Sequence, residues 1–136
     1  MPDGENASGN PTTQILFLAF ASSHLAFAGL GVFMGQQAEP ANDLTLAYIL
    51  GAVALSMTGM ALFGAAQILG RGTDYFVYTI LRFALAESVS IFGLVLALLG
   101  VPVIVVAPFW AVGLATHLAV YPSARDRELH ASLQGR

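Results

Sequence analysis

The stretch YFVYTILRFALAESVSIFGLVLALL, Tyr75 to Leu99, decides the fold. It exceeds the roughly 20 residues that a helix needs to cross the hydrocarbon core of a bilayer. Arg82 and Glu87 are its only charged side chains. It lacks the apolar/polar alternation of a barrel strand, and only helices or closed barrels satisfy their backbone in lipid. The run reads as a transmembrane helix.

Working outward, three more apolar runs lie at about residues 14–35, 44–69 and 103–121. Polar turn chemistry separates them: Gln36 to Asp43 with Pro40, the Gly-rich Gly70 to Asp74, and the short Gly100-Val101-Pro102. So short a last link makes the third and fourth helices antiparallel neighbours. The expected fold is an all-α membrane protein, an antiparallel bundle of four transmembrane helices within residues 14–122. Residues 1–13 are polar and acidic and read as a disordered tail, with Thr12 or Thr13 capping the first helix. That tail lacks the positive start of a cleavable signal peptide, so the first span is expected to remain. Residues 123–136 read as a charged tail, on the membrane surface or free of it.

Composition agrees. Of the 136 residues 57% are hydrophobic and 10% charged, against roughly 25% charged in soluble domains. The mean hydropathy is +0.74. With no Cys, a disulfide scaffold or a Cys-based metal or redox site is excluded. A formal charge of −3 leaves no basic footprint for nucleic acid.

The basic residues are all Arg, at 71, 82, 125, 127 and 136. With four spans, every one falls on or near the side that holds both termini, while Glu39 and Asp43 lie opposite. The positive-inside rule then gives a cell (inner) membrane protein with both termini cytoplasmic.

Small residues recur at helix-packing intervals. The second helix carries Ala47, Gly51, Ala54, Thr58, Ala61 and Ala65. The third carries Ala86, Ser90, Gly93, Ala97 and Gly100, and the fourth Ala107, Ala111, Ala115 and Ala119. Such stripes let helices approach closely in lipid. They serve either one monomer's bundle or a homo-oligomeric ring. There is also a weak internal similarity at an offset of 64 residues, which lays Ser22 to Leu30 over Ala86 to Leu94.

The ionisable residues inside the spans carry the chemistry. A carboxylate in hydrocarbon is costly unless protonated, paired or hydrated, which makes Glu87 the strongest functional signal. At 1.5 Å per residue Glu87 lies roughly 18 Å from the Arg-bearing end, His24 roughly 15 Å and Thr58 about 16 Å. Arg82 and His117 lie roughly 8–10 Å in. Two polar layers are therefore expected: Glu87 with His24, Ser56 and Thr58 at mid-membrane, and Arg82 with His117 nearer the cytoplasm. For His24 the plain reading is a neutral ring bonded to a Ser or a carbonyl, and for Arg82 snorkelling toward the headgroups. No His/Glu pair has ligand spacing within one helix, so neither a metal nor another cofactor is expected.

The stretch Arg82 to Leu99, with its Ala86-Glu87-Ser88 step and Ile91-Phe92-Gly93-Leu94-Val95 run, resembles the carboxylate-bearing helix of ATP synthase subunit c, the rotor-ring proteolipid. The likeness extends over the hairpin from Leu44 to Leu99. It implies a homo-oligomeric ring in which Glu87 binds an ion, with Ser88 as a hydroxyl ligand. The inner-helix Gln of sodium-binding members is missing, which favours a proton over a sodium ion. The four spans, and Gly70 to Asp74 in place of the family's Arg-Gln-Pro or Arg-Asn-Pro loop, set the chain apart from that family. They support the alternative: a non-motor structural or lipid-organising ring in which Glu87 stays protonated. A third reading is a small accessory or ion-conducting bundle that uses the Glu87/His24 layer. No nucleophile or phosphate loop points to an enzyme.

Overall fold

The computed structural model describes residues 11–65 and 73–134; Arg71, Arg136 and the Gly70–Gly72 part of the expected turn lie outside them, as do residues 1–10 and the end of the second apolar run. The described residues are all helix and turn. Helix α1 spans Pro11–Gly35 and α2 Thr45–Gly59, continued by a π-helical turn over Met60–Gly64. Helix α3 spans Tyr75–Leu98, α4 Val103–Ala119 and α5 Ala124–Gln134. Three of these are long and apolar enough to cross a membrane: α1, α2 with its π turn, and α3. Helix α4 is a 17-residue apolar helix, and α5 leaves it at a bend of 78°.

The helix ends follow local chemistry. Thr12 and Thr13 lie within the described helix α1, which includes Pro11, instead of capping it. Asp74 caps α3 by accepting from the Phe76 N–H at 2.7 Å. In the α1–α2 loop Asp43 accepts from the Thr45 hydroxyl at 2.7 Å and the Thr45 N–H at 2.8 Å. These two bonds, the hydroxyl's first, hold its carboxyl below the usual carboxylate range. Helix α3 ends in a Schellman motif: the Val101 N–H reaches the Leu96 carbonyl at 3.1 Å and the Gly100 N–H the Ala97 carbonyl at 3.0 Å. Gly100 supplies the left-handed residue at φ 77°, and a Cβ there would strike the Glu39 carbonyl. Its own carbonyl accepts from the Ala41 N–H, tying the α1–α2 loop to the α3–α4 turn.

Helices α3 and α4 form the close pair, antiparallel as the short link requires, with α1 and α2 packed against them. The contacts are made where side chains are small. Trp110 of α4 sits over Gly31 of α1 and Gly93 of α3, and a Cβ on Gly93 would lie 2.7 Å from the indole nitrogen. Gly113 likewise brings α4 against Ser90 and the Ala86 carbonyl. The apolar core toward the Glu39 end contains Val89, Leu96, Val106 and Trp110, and a smaller cluster of Phe17, Phe83 and Val120 lies toward the other end.

The small-residue stripes divide. Ala47, Ala54, Ala61 and Ala65 of α2 are buried, as are Ala86, Ser90, Gly93 and Ala97 of α3. These stripes hold the monomer together. Ala107, Ala111, Ala115 and Ala119 of α4 are instead exposed, because α4 gives its opposite face, with Val106, Trp110, Gly113 and His117, to the bundle. The segment after Ser123 folds as α5 and docks on the start of α3 through side chains that the sequence reading did not pair.

Candidate functional site

Glu87 projects from α3 at the seam with α1, where it is half-buried. The Ser23 hydroxyl of α1 donates to its Oε1 at 2.5 Å. These two residues are also the ones that the 64-residue offset lays over each other. One residue on, His24 is 1% exposed, and its Nδ1 lies 2.6 Å from the Ser90 hydroxyl of α3. Ser90 follows Glu87 by three positions, so a helical turn places both on the side that faces α1. The space for Ser90 comes from Gly113, since any side chain there would displace the hydroxyl.

His117 of α4 completes the cluster. It is fully buried, with its ring 5.2 Å from that of His24. Its Nε2 donates to the Phe17 carbonyl at 2.9 Å, and the Phe17 ring stacks on it at 4.5 Å. A carbonyl only accepts, so Nε2 carries the hydrogen and Nδ1 is left as an acceptor. His24 Nε2 and His117 Nδ1 are both buried without a hydrogen-bond partner. The site thus joins Ser23 and His24 of α1, Glu87 and Ser90 of α3, and His117 of α4.

Ser23 and Ser90 were not singled out as partners in the sequence. Their signal was present: Ser23 precedes His24, and Ser90 lies one turn from Glu87 in the small-residue stripe. The other sequence candidates lie elsewhere. Ser88 turns its hydroxyl to the Ala84 carbonyl of its own helix at 2.8 Å. Ser56 is exposed and bonds the Ala52 carbonyl at 3.0 Å. The Thr58 hydroxyl is buried with no hydrogen-bond partner. Each of the first two side chains finds an acceptor on the preceding turn, which competes with reaching Glu87.

Arg82 and His117 take separate partners. Arg82 points toward α2 and α5, with Nε 2.7 Å from the Ala61 carbonyl and one terminal nitrogen 2.7 Å from Asp126. Its guanidinium also lies 5.0 Å from the centre of the Tyr78 ring. The neighbouring residue Phe83 faces His117 instead, at 4.8 Å. One residue turns a helix by about 100°, so equal depth does not make two side chains meet. The Ala61 carbonyl belongs to the π turn, the place where a helix ladder opens to admit an inserted group.

The other partner of Arg82 comes from α5, 44 positions along the chain. Asp126 also accepts from the Tyr75 hydroxyl at 2.9 Å. His130 bonds the Thr73 carbonyl at 3.0 Å and packs against Tyr78 at 4.6 Å. A buried arginine is therefore paired rather than snorkelling. Among the described residues no group of three or more His, Asp or Glu side chains is placed to hold a metal ion. No protein-family model, curated protein or solved structure matches the chain.

Proposed function

We propose that this chain is a four-span, subunit c-like membrane protein that binds and releases a proton at Glu87 and works as a homo-oligomeric ring. The observation that carries the reading is the hydrogen bond from Ser23 to Glu87 beside two buried histidines within the helix bundle. Intramembrane ionisable groups persist where they serve transport, because each one is costly to keep there. Proton rather than sodium fits the surroundings, since one hydroxyl donates to the carboxylate while Ser88 and Ser56 bond their own helices.

Four spans fit the packing. Helix α4 runs antiparallel beside α3, and its 17 residues cover about 25 Å at 1.5 Å per residue. Arg125 and Arg127 lie at the end shared by the starts of α1 and α3, which favours cytoplasmic termini in a cell (inner) membrane. The exposed alanine stripe of α4 supports assembly, because a small-residue face without a partner in the monomer suits another helix.

The non-motor alternative, in which Glu87 stays protonated, also has an observation in its favour. The Ser23–Glu87 and His24–Ser90 bonds both tie α1 to α3, as structural links would. Dicyclohexylcarbodiimide, which attacks protonated carboxyls in apolar settings, separates the two. Labelling of Glu87 that falls as pH rises is the expected result. Labelling equal at every pH supports the structural alternative, and absence of labelling overturns the proton-binding reading.

A further inference from the structure

We infer that Glu87 exchanges its proton with one side only, the arginine-bearing end, along a path through His24 and His117 that Phe17 closes. This rests on the proton-binding reading and adds the route and its direction. The path begins at the Ser23–Glu87 bond and the neighbouring His24–Ser90 bond. Both histidine rings are at least 99% buried, with centres 5.2 Å apart, and each keeps one unpartnered nitrogen.

The hydrogen-bond polarity of the pair is complementary. His117 Nδ1 is an acceptor, because Nε2–H is committed to the Phe17 carbonyl. When the Ser90 hydroxyl donates to His24 Nδ1, His24 Nε2 carries a hydrogen and is a donor. One donor and one acceptor remain, on rings whose centres are 5.2 Å apart. Imidazole gains a proton at one nitrogen and loses one from the other. A proton given up by the Glu87 carboxyl leaves a carboxylate that the Ser23 hydroxyl still serves. On this route the proton passes to the histidine pair at His117 Nδ1, and the Nε2–H leaves the Phe17 carbonyl and gives its proton to water when Phe17 turns aside.

Beyond His117 the chain leads to the surface. Phe17 stacks on its ring, and Tyr121 meets Phe17 edge-on at 4.9 Å. Thr13, one turn before Phe17 on α1, lines a cavity of about 240 Å³ with Gln14, Asp74, Tyr75 and Arg127. Phe17 is buried with its ring on His117 and Thr13 one turn away at this cavity, so on this route its side chain is the closure and must turn aside for water to pass. Toward the opposite end the apolar core holds Val89, Leu96 and Val106, all fully buried. The cavity of about 310 Å³ at that end is lined by Gly31 and Trp110. An indole N–H donates but cannot accept, so Trp110 does not pass a proton on.

The chain has no cysteine, so single-cysteine variants report access without background. In vesicles of fixed orientation, a charged, membrane-impermeant methanethiosulfonate should modify Thr13→Cys and Phe17→Cys from the arginine-bearing side. Val106→Cys should stay unmodified from both sides. Modification of Val106→Cys from the opposite side, or no modification of Thr13→Cys from either, overturns the route. As a second measure, His117→Gln should slow proton exchange at Glu87 by roughly tenfold or more while carbodiimide still reaches Glu87. An unchanged rate overturns the histidine path. The thiol readout does not depend on Glu87 titrating. One-sided access in a protein whose Glu87 never titrates would sink the proton-binding reading and leave a one-sided path to water. Two-sided access with a titrating Glu87 would sink the route alone.

Discussion

Glu87→Gln is expected to abolish the proton uptake and release that the membrane-embedded protein shows from its arginine-bearing side, a loss of ~10²-fold or more. Gln keeps the length of Glu and an oxygen that accepts from the Ser23 hydroxyl, so the tie between α1 and α3 is retained. What disappears is the group that binds a proton. The histidines do not replace it, because on the proposed route they relay the proton that Glu87 binds. Glu87→Asp should keep part of the exchange, since the carboxyl remains but is withdrawn from Ser23 by one methylene. A pH-sensitive dye on the arginine-bearing side, followed after a pH jump, reads all three proteins together. Exchange in Glu87→Gln equal to that of the unaltered protein would remove Glu87 from the account.

The second large effect is expected at the other end of α3. Asp126→Ala should destabilise the protein by about 3 kcal/mol, the lower part of the range for breaking a buried ion pair from one side. Arg82 and Asp126 are 7% and 17% exposed, so solvent compensates the stranded guanidinium poorly. Two contacts limit the loss: Arg82 keeps the Ala61 carbonyl and the Tyr78 ring. Tyr75 also loses its acceptor, and α5 then rests on His130 and on Arg127 over Tyr75. Thermal unfolding in detergent should show the lower stability, and hydrogen exchange should show the loss concentrated in residues 124–134. Asp126→Asn, which keeps an acceptor for Arg82, should lose less. Exchange in α5 that is unchanged by Asp126→Ala would show that the ion pair does not hold this helix down.

The helices were legible because each apolar run is long and ends in Gly, Pro or Asp chemistry. The inward stripes of α2 and α3 were legible too, since small residues at four- and three-residue intervals share one face. The same rule left open what the alanines of α4 face, and they are exposed. A stripe marks a face that can be approached, and on α4 the larger face with Trp110, Gly113 and His117 took the bundle instead. Depth along the membrane was readable from residue counts, which put Glu87 and His24 at one level. Rotation about each helix was not, so His117 was set beside Arg82 when its ring meets His24 and Phe83. The partner of Arg82 was hidden for another reason. Asp126, Arg127 and His130 share a helical face that matches Tyr75 and Tyr78, but their charge made the segment read as a tail. The π turn over Met60–Gly64 follows no residue pattern in the sequence and is explained only by the arginine that reaches its carbonyl.

The central claim is that Glu87 changes its protonation inside the membrane. Infrared difference spectroscopy of the reconstituted protein, stepped in pH, observes the carboxyl directly. The account predicts a protonated-carboxyl band that disappears reversibly as pH is raised, accompanied by a new carboxylate band, both missing in Glu87→Gln. A Glu87 band that stays at full intensity across the whole pH range would contradict it and leave the glutamate as a fixed hydrogen-bonded link between α1 and α3.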